Sequence, residues 1–138
     1  MELGDLKVQE VMSRSVFTVP LDASLDDILN EMLTNNISAV IVVAPNGEFM
    51  GVVSRLDVIK ALSQHKEKIL NLTAEDIMST KPVRVDGDAP LKEAAAIMTK
   101  NKVHRVLVLT SHLGKLIPVG VLSAIDIVKQ IKFWKKGF

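Results

Sequence analysis

The chain has 138 residues, 48% of them hydrophobic and 24% charged, a globular composition that argues against disorder. Its formal net charge of +1 is too small to point to nucleic acid, and with no cysteine it can form no disulfide and do no thiolate chemistry. Aromatic residues make up only 4%, so the core must be assembled from Val, Ile, Leu, Met and Ala.

The opening stretch "MELGDLKVQE" is charged and lacks an apolar run, so it does not read as a signal peptide. "KVQEVM" predicts a short amphipathic turn and "VFTV" a short strand. Ser24 then stands as helix cap before Leu25, Ile28, Leu29, Met32 and Leu33, an apolar stripe at helical spacing. The longest apolar run, "AVIVVA" from Ala39, is far short of the roughly 18 residues a membrane span needs. Its β-branched content predicts a strand instead. "PNGE" is a hairpin signal, "FMGVVS" is the partner strand, and a helix starts at Ser54. "QHKEKILNL" reads as the end of that helix, prolonged. Without a leader or a span, a soluble, cytoplasmic protein is expected.

The same pattern then runs again. With a shift of 66 residues, Met12 falls on Met78, Ser13 on Ser79, Val19 on Val85, Ala23 on Ala89, Met32 on Met98 and Val42 on Val108. After the next turn the shift grows by three, as a loop insertion would make it, and Gly51 meets Gly120, Ser54 meets Ser123 and Asp57 meets Asp126. In the second copy "TAEDIM" opens with a capping box of Thr73 and Asp76, and "PVRV" is the strand. Asp88 and Pro90 open a helix striped by Leu91, Ala94, Ala95 and Met98. "SHLGKLIP" reads as a longer, looser hairpin. The predicted fold is mixed α/β (α+β), β-α-β-β-α twice. The domains are residues 1–70 with the N-terminal segment and 71–138 with a basic, aromatic tail. A unit of about 60 residues buries too little surface to be comfortable alone, so the copies are expected to share a core.

The repeated sentence, "GVVSRLD" and "GVLSAID", has two readings. Ser-x-x-Asp at a helix start is a capping box, and glycine before a buried strand marks close backbone packing. The same groups also suit a ligand. A helix start offers spare N–H groups to anions, and a carboxylate there can take the hydroxyls of a ribose.

The pieces "VMSRSVFTV", "NNISAVIVVAPNGEFMGVVSRLDVI", "IMSTKPVRV" and "KVHRVLVL…PVGVLSAIDIV" together resemble a pair of cystathionine-β-synthase (CBS) domains, a Bateman module, over nearly the whole chain from Val8 to Ile131. That resemblance implies two repeats about a pseudo-twofold axis. It implies a regulatory module, not an enzyme, that takes an adenosine-containing ligand between the repeats. AMP, ADP or ATP is expected, with S-adenosylmethionine or NAD as alternatives, and no cofactor is required. Carried over by position, one cleft would use Ser54 and Asp57 with Pro82, Val83, Val103, His104 and Arg105. The other would use Ser123 and Asp126 with Val16, Phe17, Thr18, Ser38 and Ala39.

The matching positions are unequal. Ser38-Ala39 corresponds to His104-Arg105, Thr18 to Arg84, Asn36 to Lys102, and Ala124 to Arg55. Basic residues therefore gather at the first cleft, which is expected to prefer a phosphorylated ligand, because an Arg fork can hold two phosphate oxygens. His65, His104 and His112 lack ligand spacing for a metal, and neither Ser54 nor Ser123 has a paired histidine in its motif. The resemblance also implies a homodimer, for which Val58, Ile59, Leu62, Ile127, Val128 and Ile131 suit a helix interface, and an effector protein that reads the ligand state. The competing readings are a ligand-free interaction scaffold and, behind it, a nucleic-acid binder. The terminal "KQIKFWKKGF" reads as Phe133 and Trp134 packed on a helix with the lysines in water.

Overall fold

A computed structural model describes residues 1–135, and residues 136–138 of the basic, aromatic tail lie outside the described residues. The fold is mixed α+β. The first repeat forms β1 (Thr18–Pro20), α1 (Leu25–Asn35), β2 (Ala39–Val43), β3 (Phe49–Ser54) and α2 (Arg55–His65). A short α3 (Ala74–Ile77) precedes the second set: β4 (Arg84–Asp86), α4 (Leu91–Asn101), β5 (Arg105–His112), β6 (Lys115–Ser123) and α5 (Ala124–Lys135). Two three-stranded sheets result, β1-β2-β3 and β4-β5-β6, each with a parallel first pair and an antiparallel second.

The chain divides into two compact units that cut across the sequence repeats. The first unit is Phe17–Pro82, and the second is Met1–Val16 together with Val83–Phe138. Residues 1–70 and 71–138 are thus the duplicated stretches, while each unit takes one segment from the other copy.

In the second unit, the 3₁₀ turn Val8–Glu10 lies beside β4 and α4. The Val8 amide donates to the Ala89 carbonyl at 2.9 Å, Gln9 to Gly87 at 3.0 Å, and Leu91 donates back to Leu6 at 2.7 Å. Val8 is fully buried with Val85, Ala94, Met98, Val106, Val108 and Leu122. Ser13 and Val121 then exchange both backbone bonds, each at 2.9 Å, along the outer edge of β6.

The first unit repeats this with its own segment. Ala74 donates to Ala23 at 2.9 Å, Glu75 to Leu21 at 3.0 Å, and Leu25 to Leu72 at 3.2 Å. Ser79 and Val52 exchange bonds of 2.8 and 2.9 Å on the edge of β3. Thr73 caps α3 as predicted, its amide and hydroxyl donating to Asp76 Oδ2 at 2.8 and 3.0 Å. Those two bonds, the amide first, hold the Asp76 carboxyl below the ordinary aspartate range.

Glycine makes the two edge pairings possible. A Cβ on Gly120 would stand 2.5 Å from the Ser13 carbonyl oxygen and 2.6 Å from Met12 Sδ. On Gly51 it would stand 2.9 Å from the Ser79 oxygen and 2.8 Å from Met78 Sδ. The repeated glycine is therefore a packing residue, and its partner is the repeated Met-Ser.

Four local expectations change. Leu33 is 80% exposed, because it lies one residue past Met32, about 100° round the helix from the buried stripe of Leu25, Ile28 and Met32. The α2 helix is not prolonged: it stops at His65, where Lys66 turns to φ +51 and a 3₁₀ stretch Lys66–Asn71 follows. Asp88 does not cap α4. Its amide instead donates to Asp86 Oδ1 at 2.7 Å, its carboxylate lies 3.7 Å from Lys7, and Pro90 stands at the cap position. The second hairpin is the tighter one, not the looser. Its ladder closes at His112↔Lys115 around Leu113-Gly114, both at positive φ, so the three-residue insertion lengthens the strands. At the tail, Phe133 is about half exposed.

Gly120→Ala is expected to destabilise the protein by about 1–3 kcal/mol through overpacking against backbone. Gly51→Ala should cost less, because its clearances are longer. Urea unfolding of the two variants beside wild type checks the order. The Asp76 cap should hold above the ordinary aspartate pKa and be lost as pH falls through its lowered value. Asp76→Asn should remove that part of the acid limb of a stability-against-pH curve.

Candidate ligand site

Each unit gathers its motif residues at one end of its sheet. In the first unit, β2 opens where β3 closes, with Ala39 opposite Ser54. The Arg55 amide donates to the Ser38 carbonyl at 3.0 Å, and the Ile41 amide to the Phe17 carbonyl at 2.8 Å. Phe17, Thr18, Ser38, Ala39, Ser54, Arg55 and Asp57 therefore come together on one rim. The second unit builds the equivalent rim from Val83, Arg84, Val103, His104, Arg105, Ser123 and Asp126. Arg105 lies opposite Ser123, the Ala124 amide donates to the His104 carbonyl at 2.8 Å, and the Leu107 amide to the Val83 carbonyl at 3.2 Å. Pro82 ends the first unit, and Val16 ends the N-terminal segment of the second. The residue sets implied by the resemblance each draw on both units.

Both Ser-x-x-Asp motifs are capping boxes. The Ser54 amide donates to Asp57 Oδ2 at 2.8 Å, its hydroxyl to the same oxygen at 2.9 Å, and the Asp57 amide returns a bond to Ser54 Oγ at 3.2 Å. The Ser123 amide donates to Asp126 Oδ2 at 2.9 Å, and the Asp126 amide donates to Ser123 Oγ at 3.2 Å. Each cap uses Oδ2 and leaves Oδ1 outside the ring of bonds. A carboxylate so held is fixed in rotamer and part-buried, and still has an acceptor oxygen to offer. The capping and ligand readings are therefore compatible: the cap pre-positions the acid.

The electrostatics differ sharply between the units. The second unit carries twelve Lys and Arg against seven Asp and Glu, a formal +5, and the first carries five against nine, a formal −4. The near-neutral total hides this polarity. At the rim of the second unit, Arg84, His104 and Arg105 are exposed, and Lys102 ends α4 with φ +53. The corresponding cap in the first unit is Asn36, at φ +51. Asparagine tolerates this left-handed region far better than lysine, so the cation at 102 is kept at a conformational cost.

An open cleft of about 360 Å³ is lined by Thr18, Val19, Pro20, Val43, Ala44 and Pro45. Pro20 and Val43 lie at the far ends of β1 and β2 from Ala39 and Ser54. The cleft therefore shares only Thr18 with the rim. Among the described residues, no three His, Asp or Glu side chains could hold a metal ion, and no helix is long and apolar enough to cross a membrane.

A family model described as the CBS domain matches the chain twice, at residues 8–64 and 74–132. The chain belongs to the CBS domain family. It is similar to a CBS domain-containing protein of Dictyostelium discoideum, 29% identical over 88% of each chain. It is also 30% identical, over 98% of its length, to an uncharacterized protein of Methanocaldococcus jannaschii, of which it spans 34%. It spans 24% of a homoserine O-acetyltransferase from Methanohalophilus mahii. Among solved structures, CBSX2 in complex with AMP is 25% identical with a TM-score of 0.76, covering 94% of this chain and 98% of that one. A CBS-domain protein of Agrobacterium tumefaciens is 25% identical with a TM-score of 0.73, covering 92% and 94%. The mixed α+β fold and the tandem CBS pair are thus established.

Sequence reasoning missed the role of the Met-Ser segments, which fix the strand edges two residues before each capping serine. The signal was present, since "VMS" and "IMS" match across the repeats as closely as the motif itself. Ser54→Ala and Ser123→Ala should each cost about 1 kcal/mol. Lys102→Asn should be stabilising, which thermal melts of the three variants will rank.

Proposed function

We propose that this CBS pair is a regulatory module that binds an adenine nucleotide, AMP, ADP or ATP, and passes its occupancy to an effector protein. The observation that carries this reading is the pair of capped aspartates, Asp57 and Asp126, each fixed at a helix start beside the opening of a strand. The ribose hydroxyls donate to these carboxylates. The backbone at Phe17–Thr18 and Ser38–Ala39, or at Val83–Arg84 and Val103–His104, reads the base edge.

The phosphates belong with the basic rim of Arg84, Lys102, His104 and Arg105 on the +5 unit. Arg55 at the start of α2 adds a cation on the other unit. The AMP-bound relative, at 25% identity and near-complete coverage, supports this ligand class. The module acts in the cytoplasm, where such nucleotides are abundant, and its role is regulatory, not catalytic. Signalling follows from population shift: the ligand binds one state of the module more tightly, and the effector reads that state.

A homodimer is part of this reading. Val58 and Ile127 join the cores of their units. Leu56, Ile59 and Leu62 on α2 are exposed, as are Ile125, Val128 and Ile131 at the matching positions of α5. Those two apolar faces pair with a second copy.

A thermal melt against AMP, ADP, ATP, S-adenosylmethionine, NAD and adenosine tests the ligand, because a molecule that binds only the native state raises its melting temperature. Adenine nucleotides should raise it, and Asp57→Ala or Asp126→Ala should weaken binding at least about tenfold, the value of a lost charged hydrogen bond. Arg105→Ala should weaken ATP and AMP more than adenosine. No shift with any compound at millimolar concentration would leave the scaffold reading in place.

A further inference from the structure

The tip of the second hairpin breaks two local rules at once. Leu113 stands at the first central position of a two-residue turn with φ +53, followed by Gly114 at φ +79. Positive φ at both positions is the type I′ pattern, which asks for Asn, Asp or Gly. A leucine there is held in the left-handed region against its preference. The same leucine is 87% exposed, and Leu116 beside it is 37% exposed. The matching turn of the first repeat obeys the rules. It is built from Pro45, Asn46 and Gly47, and exposes no large apolar side chain.

The tip is also carried outward. β4 pairs with β5 only through Leu107, Val108 and Leu109, while β5 and β6 continue together to His112 and Lys115. Residues 110–117 thus form a two-stranded ribbon beyond the third strand. The sequence has no Asp or Glu between Glu93 and Asp126, and the ribbon's titratable groups are His112 and Lys115. Leu113 is thus a water-exposed apolar residue in a costly backbone conformation, on an arm that carries Lys115 and no acid.

We infer that the β5–β6 tip is the output surface of the module, where Leu113 inserts into an apolar pocket rimmed by carboxylates on a partner protein. Charge complementarity selects that partner: Lys115, two residues from the leucine, is the ribbon's formal charge and no acid accompanies it, so the pocket's rim is acidic. Leu113 is the anchor and Lys115 sets the docking orientation. This deepens the regulatory reading, on which it rests for the existence of an effector, while the contact itself does not involve the nucleotide rim.

The substitution that tests it is Leu113→Asn, which installs the Asn-Gly pair the turn prefers. It should raise the melting temperature by several degrees and leave the nucleotide-induced shift unchanged. A photo-crosslinking phenylalanine analogue placed at position 113 of the full chain, and at Asn46 as control, is illuminated in the source cells, and the attached protein is identified and purified. The expected result is a protein captured from 113 and not from 46. Calorimetry should show it binding wild type at least tenfold more tightly than Leu113→Asn or Lys115→Glu, with an acidic, apolar contact region. Capture equal from both positions, capture of a second copy of the chain, or equal affinity for Leu113→Asn would overturn the inference. Loss of nucleotide binding in wild type would instead count against the ligand reading alone.

Discussion

Everything in each unit hangs on a strand edge that glycine leaves bare. Ser13 can lie against Val121, and Ser79 against Val52, only because positions 120 and 51 carry no Cβ. Those pairings satisfy backbone groups that an edge strand would otherwise present to solvent or to another chain. They also fix β6 and β3 two residues before the serines that cap α5 and α2. The repeated Gly-x-x-Ser-x-x-Asp is thus one device: the glycine admits the docking segment, the serine starts the helix, and the aspartate closes the cap.

The exchange of segments between copies gives the duplication its physical sense. The unit Phe17–Pro82 is continuous in sequence, whereas the other is assembled from both ends of the chain. In each, Val8 or Ala74 is fully buried beneath its sheet, so neither core is complete without the borrowed turn. Loss of the first sixteen residues would therefore remove a core residue, Val8, and the edge pairing of Ser13 with Val121 from the second unit.

Much of this was legible in the sequence. The repeat, the strands, the caps at Ser24, Ser54, Thr73 and Ser123, and the glycine contact all follow from local chemistry, which is why they could be read. The exchange could not. Both copies carry nearly the same docking segment, so pattern alone does not say which sheet each one joins. Leu113 conceals its turn for the opposite reason: it is the wrong residue for a type I′ pair, so composition alone points to a looser hairpin. Leu33 falls at the margin of a helical stripe, and the pattern alone leaves such margins undecided. The cancellation of +5 and −4 made a polar molecule look neutral, and only the division into units revealed it.

In the proposed module the caps make two structural necessities serve binding as well. A carboxylate that must already be rigid loses little further freedom on meeting a ribose, which is the essence of pre-organisation. The lysine in a left-handed cap and the leucine in a left-handed turn point the same way. Both give up conformational preference in the basic unit, one at its rim and one at its outermost tip.

The most direct test of a nucleotide module is the amide NMR spectrum of the labelled protein titrated with AMP. Saturable shifts centred on the capped amides of Ser54, Asp57, Ser123 and Asp126 and on His104 and Arg105 are expected. An unchanged spectrum at millimolar AMP, or shifts confined to the cleft beside Pro20 and Pro45, would contradict it.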